Sequence, residues 1–314
     1  MNNQESNTKP KERKRKEKPP VEESLLAMGH RACTGCGEAL GAKLVMDVAG
    51  PKTYVATATG CLEVFSTPFP ESAWRMPWIH SLFENSAAVA AGIEAGLIAQ
   101  GRDKDVNVIA QGGDGGTADI GIGCLSGMLE RGHNVLYVCY DNEAYMNTGV
   151  QRSGLTPFDA RTTTSPYGKK SWGNKTEKKN LPGIVAAHNI PYVATASVGY
   201  PFDLQRKVKK ALSIKGPKFI QIHVPCPLGW VYPAHLTVEI AKLAILTGLI
   251  PIYEMEYGEL TRSRKIGKNR KPVEEYLKLQ GRFKHLFSGK PEAEEELEKI
   301  RQIAEKNIKK FGLA

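Results

Sequence analysis

Short, almost wholly apolar runs alternate with helix-patterned segments along most of this chain, and that alternation restricts its fold more than any other feature. TYVATA (53–58), VNVIA (106–110), NVLYVCY (134–140), YVATASV (192–198) and KFIQIHV (218–224) read as strands covered on both faces. SAAVAAGIEAGLIAQ (86–100), TADIGIGCLSGMLER (117–131), FDLQRKVKKALS (202–213) and TVEIAKLAILTG (237–248) read as helices, the last stopped by Gly248. Residues 291–312 predict a solvated helix, acidic at its start and basic at its end, as the macrodipole favours. The expected fold class is α/β, a mostly parallel sheet with helices on both faces. Residues 151–182 show no clean period and read as a long functional loop.

Residues 1–23 are expected to form a disordered basic tail and 24–254 the α/β domain. Residues 255–314 are expected to be a charged, partly helical C-terminal extension. No apolar run approaches the ~18 residues of a membrane span, so no membrane association is expected. The first twenty residues lack a secretory apolar stretch, and six cysteines are too few for a disulfide scaffold in 314 residues. A cytoplasmic location follows as the expectation. The net charge of +10 is local: 9–18 and 161–179 each carry +5 and 261–284 carries +7, which leaves the remainder near −7. That is three basic patches on a mildly acidic body, not a basic nucleic-acid-binding surface.

Four unusual sequences each follow a strand: TGC (59–61), GGDGG (112–116), DNEAYMNTG (141–149) and PCP (225–227). Ligands of open parallel sheets bind at strand carboxyl ends. GGDGG lacks the spacing of a dinucleotide fingerprint and no Walker lysine follows it. Its glycines let the backbone approach a phosphate, while Asp114 puts a carboxylate in the same cradle. A carboxylate beside phosphates requires an intervening cation, and Mg²⁺ takes oxygen ligands. Asn142, 28 residues beyond Asp114, offers an amide oxygen and Ala144 a backbone carbonyl. Each motif alone fits a tight turn or a helix cap; the pair favours a cofactor. Cys33 and Cys36 form a CxxC, with Cys61 and Cys226 further on. A lone CxxC suits zinc or a dithiol, and four thiolates equally suit a 4Fe–4S cluster. Cys124 and Cys139 lie in apolar segments and read as core.

GDGGTADIGIGCLSGMLERGHNVLYVCYDNEAYMNTGVQRSG resembles the β subunit of the pyruvate and 2-oxoacid:ferredoxin oxidoreductases. So do HRACTGCG (30–37), ATGC (58–61), WRMPWIHSLFENSAAVAAGIEAG (74–96), TTTSPYGK (162–169) and VPCPLGW (224–230). The resemblance runs from about residue 25 to 250 and implies a thiamine-diphosphate-binding, transketolase-like fold. It implies Asp114, Asn142 and the Ala144 carbonyl as Mg²⁺ ligands, with Gly113, Gly115 and Gly116 cradling the diphosphate. Thr59, Gly60, Cys61, His80 and Thr148 fall where the family contacts the cofactor, and Asn147 where an asparagine meets thiazolium and substrate. A structural role for His80 fits equally well. Cys33, Cys36, Cys61 and Cys226 are implied as ligands of one 4Fe–4S cluster.

The implied activity is oxidative decarboxylation of a 2-oxo acid, with electrons passed through the cluster to ferredoxin and the acyl group taken by coenzyme A. The glutamate that contacts the aminopyrimidine belongs to the partner α subunit in this family, so the chain is expected to be inactive alone. Two further clusters would sit on γ- or δ-type subunits or domains. Pyruvate is the default substrate. TPFDART (156–162) departs from the familiar pyruvate form, and its Asp159 and Arg161 are either a surface pair or an adaptation to oxalate, oxidised without coenzyme A. A nonoxidative thiamine enzyme would have no use for four cluster thiolates. A basic zinc protein binding nucleic acid would leave GGDGG and DNEAYMNTG unexplained.

Overall fold

The computed structural model describes residues 24–314; the basic tail expected over 1–23 lies outside the described residues. The chain runs through α1 (Gly37–Ala49), β1 (Thr53–Ala58), α2 (Cys61–Ser66), β2 (Trp78–Ser81), α3 (Ser86–Ala99) and β3 (Asn107–Gly113). A π-helical turn at Gly116–Ile120 leads into α4 (Ile122–Glu130) and β4 (Leu136–Asp141). The following loop carries a small hairpin, β5 (Tyr167–Gly168) and β6 (Ser171–Trp172). Then come α5 (Leu181–Ala186), β7 (Tyr192–Ser197), α6 (Pro201–Ser213), β8 (Lys218–His223), α7 (Pro227–Trp230) and α8 (Thr237–Leu246). The chain closes with β9 (Tyr253–Glu256), β10 (Glu259–Ser263), α9 (Val273–Leu277) and α10 (Pro291–Lys310).

Eight strands form one sheet in the order β10-β9-β7-β8-β4-β3-β1-β2. The six from β7 to β2 are parallel, and β9 and β10 add an antiparallel edge. Alternate residues face opposite layers, as the pleat requires. Leu136, Val138 and Tyr140 meet α1 and α6, whereas Tyr137 and Cys139 meet α3, α4 and α5. Both layers are closed, which is why the strands read as continuous apolar runs.

Three features differ from the sequence reading. The helix expected over 117–131 is divided, its first turn being the π turn that opens on Gly116; such turns recur at functional sites. The hairpin β9–β10 turns through Tyr257 and Gly258, both at positive φ (48° and 81°), and joins the main sheet. The boundary expected at 254/255 therefore falls inside β9. Finally, α10 is solvated on one face only. Ala293, Leu297, Ile300, Ala304 and Ile308 are buried at helical spacing and build a third core with α8, α9, Trp230 and Phe283. Leu297→Ala should lower unfolding free energy by about 2–5 kcal/mol in denaturant titration, while Lys309→Ala on the outer face should stay within about 0.5 kcal/mol.

Candidate active site

The connection after β1 leads to β2 on one side, and the connection after β3 leads to β4 on the other. The carboxyl ends of β1 and β3 therefore frame a crevice, the place where open α/β sheets bind ligands. Thr59, Gly60 and Cys61 follow β1; Gly113 ends β3 and Asp114, Gly115 and Gly116 follow it; Asn142 and Ala144 follow β4. A Cβ built on Gly60 or Gly113 would meet nothing within 4 Å, so both glycines border open space. Gly115 differs: its Cβ would stand 2.3 Å from the Tyr145 ring, whose hydroxyl donates to Asp119 Oδ2 at 2.9 Å.

The floor of the crevice is crowded with buried acids. Asp114, Asp141 and Glu143 are each about 1% exposed. Burial and the neighbouring Asp141 charge push the Asp114 carboxyl well up, although Ser153 Oγ donates to it. Lys178 Nζ bridges Asp141 Oδ2 and Glu143 Oε1, each at 2.6 Å. Burial pushes Glu143 upward, but Lys178 and Arg282 outweigh it and hold this carboxylate at about 2. Among the described residues Asp114 forms no ion pair, and the Lys178 charge offsets its burial only in part. Beside it in the chain order of motifs, Asn142 gives its Nδ2 to Glu38 Oε2 at 3.2 Å, while its Oδ1 is buried without any partner. An incompletely compensated carboxylate and an orphaned amide oxygen form a hard-oxygen donor set, and that set fits Mg²⁺.

Four of the cysteines lie near one another and near Glu38. Cys36 and Cys226 cap α1 and α7, their sulfurs accepting from Ala39 N at 3.4 Å and Gly229 N at 3.3 Å. Gly37 lets the two segments meet, since a Cβ there would stand 2.6 Å from the Pro225 carbonyl oxygen. Cys61 feels the charges of Cys226 and Cys36, and Cys226 that of Cys33. A cavity of about 310 Å³ opens beside Cys33 and Cys36, lined also by His30 and His235. Among the described residues no three His, Cys, Asp or Glu side chains stand close enough to share one metal ion. Four ligands of a cluster bind four different irons and stand further apart than four ligands of zinc. Burial, then Glu38, pushes the Cys36 thiol up to about 12. Cys124 and Cys139 lie against the α3–α4 layer, away from this group.

Other candidates fall around the same crevice. His80 Nε2 is 2.6 Å from Thr59 Oγ1, and its Nδ1 is 3.6 Å from Glu63 Oε1. The Asn147 side chain lies close enough to the Cys61 sulfur to favour its thiolate, against the larger opposing effect of burial. Thr148 donates to Gln151 Oε1 at 2.6 Å, within the following loop. Sequence reasoning missed Glu38, which spans from the CxxC helix to Asn142; its place directly after CxxCG was the available signal. Burial pushes its carboxyl up to about 7. It also missed Lys178 and Arg282, both counted among the basic patches; Arg282 is buried and Lys178 half-buried against Glu143. Asp159 does not face the crevice. It is buried against Glu296 of α10, with Asp159 Oδ2 and Glu296 Oε2 both lacking hydrogen-bond partners. The oxalate reading built on it is not favoured.

A parallel sheet with an acid-and-glycine crevice at its switch point defines a cofactor-binding domain of the thiamine enzymes. The profile of the thiamine pyrophosphate enzyme C-terminal TPP binding domain matches residues 58–222. Pyruvate synthase subunit PorB of Methanosarcina barkeri is 59% identical over 290 residues, covering 92% of this chain and 97% of that protein. Ketoisovalerate oxidoreductase subunit VorB of Pyrococcus abyssi is 47% identical over 306 residues, covering 94% and 98%. A chain of the 2-oxoglutarate:ferredoxin oxidoreductase from Magnetococcus marinus shares the fold, with a TM-score of 0.56 at 22% identity over 83% of this chain and 92% of that one. The protein belongs to the family of PorB and VorB subunits of the 2-oxoacid:ferredoxin oxidoreductases and is an oxidoreductase subunit. Among the described residues no helix is long and apolar enough to cross a membrane.

Two outcomes follow. Gly115→Ala should displace Tyr145 and weaken thiamine diphosphate binding roughly tenfold, about 1.4 kcal/mol by calorimetry. Asp159 is held at about 8 by burial and by Glu296, against ~3.9 in an unfolded chain. Its raised value makes its contribution to stability complete below ~4 and lost as pH rises through about 8. Asp159→Asn should therefore flatten the fall of Tm between pH 5 and pH 9 relative to wild type.

Proposed function

We propose that this chain is the thiamine-diphosphate- and cluster-binding β subunit of a pyruvate:ferredoxin oxidoreductase. In this reading Asp114, Asn142 Oδ1 and the Ala144 carbonyl hold Mg²⁺, and the backbone at Gly113, Gly115 and Gly116 receives the diphosphate. Cys33, Cys36, Cys61 and Cys226 hold one 4Fe–4S cluster. When bound, thiamine diphosphate supplies the carbanion chemistry that releases CO₂ from a 2-oxo acid, and the cluster takes electrons singly. The chain's own part is to position and to balance charge. Glu38 fixes the Asn142 amide through its Nδ2 so that Oδ1 is left for the metal. Lys178 pairs with Asp141 and Glu143, which leaves Asp114 as the carboxylate available to a cation. Asn147, beside Cys61, is the candidate catalytic side chain.

One observation carries the reading: the buried, unpartnered Oδ1 of Asn142 in a crevice it shares with an incompletely compensated Asp114. Cys61 opens α2 immediately after Thr59 and Gly60, so cofactor contacts and cysteine group meet at one residue. Four thiols suit a 4Fe–4S cluster, and an oxidoreductase subunit has a use for a one-electron carrier that it would not have for mononuclear zinc. Pyruvate is preferred because PorB relatives reach 59% identity against 47% for VorB; 2-oxoisovalerate is the second substrate to try. Partner subunits, ferredoxin as electron acceptor and coenzyme A as acyl acceptor complete the proposal, in the cytoplasm. The complex, purified anaerobically with its partners, should contain iron, sulfide and thiamine and turn over pyruvate faster than 2-oxoisovalerate, 2-oxoglutarate or oxalate. Cys226→Ser should abolish ferredoxin reduction yet leave thiamine diphosphate bound. A colourless complex without iron, or one active on 2-oxoisovalerate alone, contradicts the proposal.

A further inference from the structure

Glu143 stands between the two candidate ligands Asn142 and Ala144, and its backbone is left-handed, at φ 70°. A side chain in that region is strained and persists only where its surroundings hold it. Four contacts do so. Thr156 Oγ1 donates to its carbonyl at 2.7 Å, and its own N–H donates to Asp141 Oδ1 at 3.2 Å. Lys178 Nζ donates to Oε1 and Arg282 Nη2 to Oε2, each at 2.6 Å. Arg282 comes from outside the matched cofactor-binding region, yet it is only 3% exposed. Its Nε donates to Gln280 Oε1 at 2.9 Å, and its guanidinium lies 3.7 Å from the centre of the Trp230 ring. That indole donates from Nε1 to the Asn142 carbonyl at 2.8 Å. Arg282 thus grips the segment twice, directly through the Glu143 carboxylate and indirectly, through Trp230, at Asn142.

The charges give this grip a second effect. Asp114, Asp141 and Glu143 are three buried carboxylates, and Lys178 and Arg282 are the cations bonded to Asp141 and Glu143. Without Arg282 the segment would lose one of its two positive charges and the planar fork that fixes Glu143. We propose that Arg282 is a positioning residue for the cofactor's metal. By clamping Glu143 and Trp230, it presets Asn142 and Ala144 so that Mg²⁺ binds without reordering the segment. This rests on the assignment of Asp114, Asn142 and Ala144 to Mg²⁺ made above.

The test is calorimetric titration of thiamine diphosphate into the purified complex over a range of Mg²⁺ concentrations, with no turnover required. Arg282→Ala should raise the Mg²⁺ needed for half-maximal binding at least tenfold, and excess Mg²⁺ should restore binding. Arg282→Lys, which keeps the charge without the fork, should fall between wild type and alanine. Trp230→Phe keeps a ring beneath the guanidinium but removes the donor to Asn142; it should raise the requirement several-fold. It decides the matter if Arg282→Ala does not fold. A purely structural role would lower Tm and leave the Mg²⁺ requirement unchanged in all three variants, which overturns the proposal. If wild type itself binds thiamine diphosphate without any dependence on Mg²⁺, the metal assignment fails first, and the clamp with it.

Discussion

Everything at the carboxyl edge of the sheet follows from one electrostatic problem. Asp114, Asp141 and Glu143 are carried by neighbouring strands β3 and β4 into a buried site. Isolated carboxylates do not survive there as anions. Glu143 is compensated by Lys178 and Arg282, which the chain sends in from the long loop and from the C-terminal segment, while Lys178 offsets the burial of Asp141 only in part. The third, Asp114, is pushed far up by burial and by Asp141, and is left for a cation brought from outside. The loop and the C-terminal segment thus belong to one charge balance, and in the proposed function the cofactor's metal completes it.

The same view explains what the sequence revealed and what it hid. Strands β1, β3, β4, β7 and β8 were legible because both faces of each are buried, so their composition alone identifies them. GGDGG and DNEAYMNTG stand out in the sequence because glycine and carboxylate together after a strand have few structural uses, and both fall within the matched TPP binding domain. The edge strand β2 was not: His80 and Ile79 are exposed, and WIHS carries no pattern that an exposed edge must have. The apolar stripe of α10 was outweighed by its many charges, although Leu297, Ile300 and Ala304 repeat at helical spacing. Lys178 and Arg282 were hidden most completely. A basic residue in a basic run reads as solvated, and only the tertiary fold shows which of its members meets a buried acid.

The cysteine group shows a second kind of coupling. Glu38 touches Asn142 on the cofactor side and raises the thiols of Cys36, Cys61 and Cys226 on the other. Gly37 makes this possible by letting the CxxC turn lie against Pro225. Short covalent and hydrogen-bonded links therefore join the two halves of the crevice. The net charge of +10 takes on a different meaning as well: part of it is not a surface property but the internal counter-charge of the acids at the sheet edge.

The central claim is that metal-bound cofactor and iron–sulfur cluster share one crevice, joined through Cys61 and Glu38. Electron paramagnetic resonance of the anaerobic complex, loaded with thiamine diphosphate and with Mn²⁺ in place of Mg²⁺, tests it most directly. Reduction of the proximal cluster should strongly broaden the Mn²⁺ signal, because magnetic coupling falls steeply with distance. A Mn²⁺ spectrum that is unchanged on reduction would contradict the account.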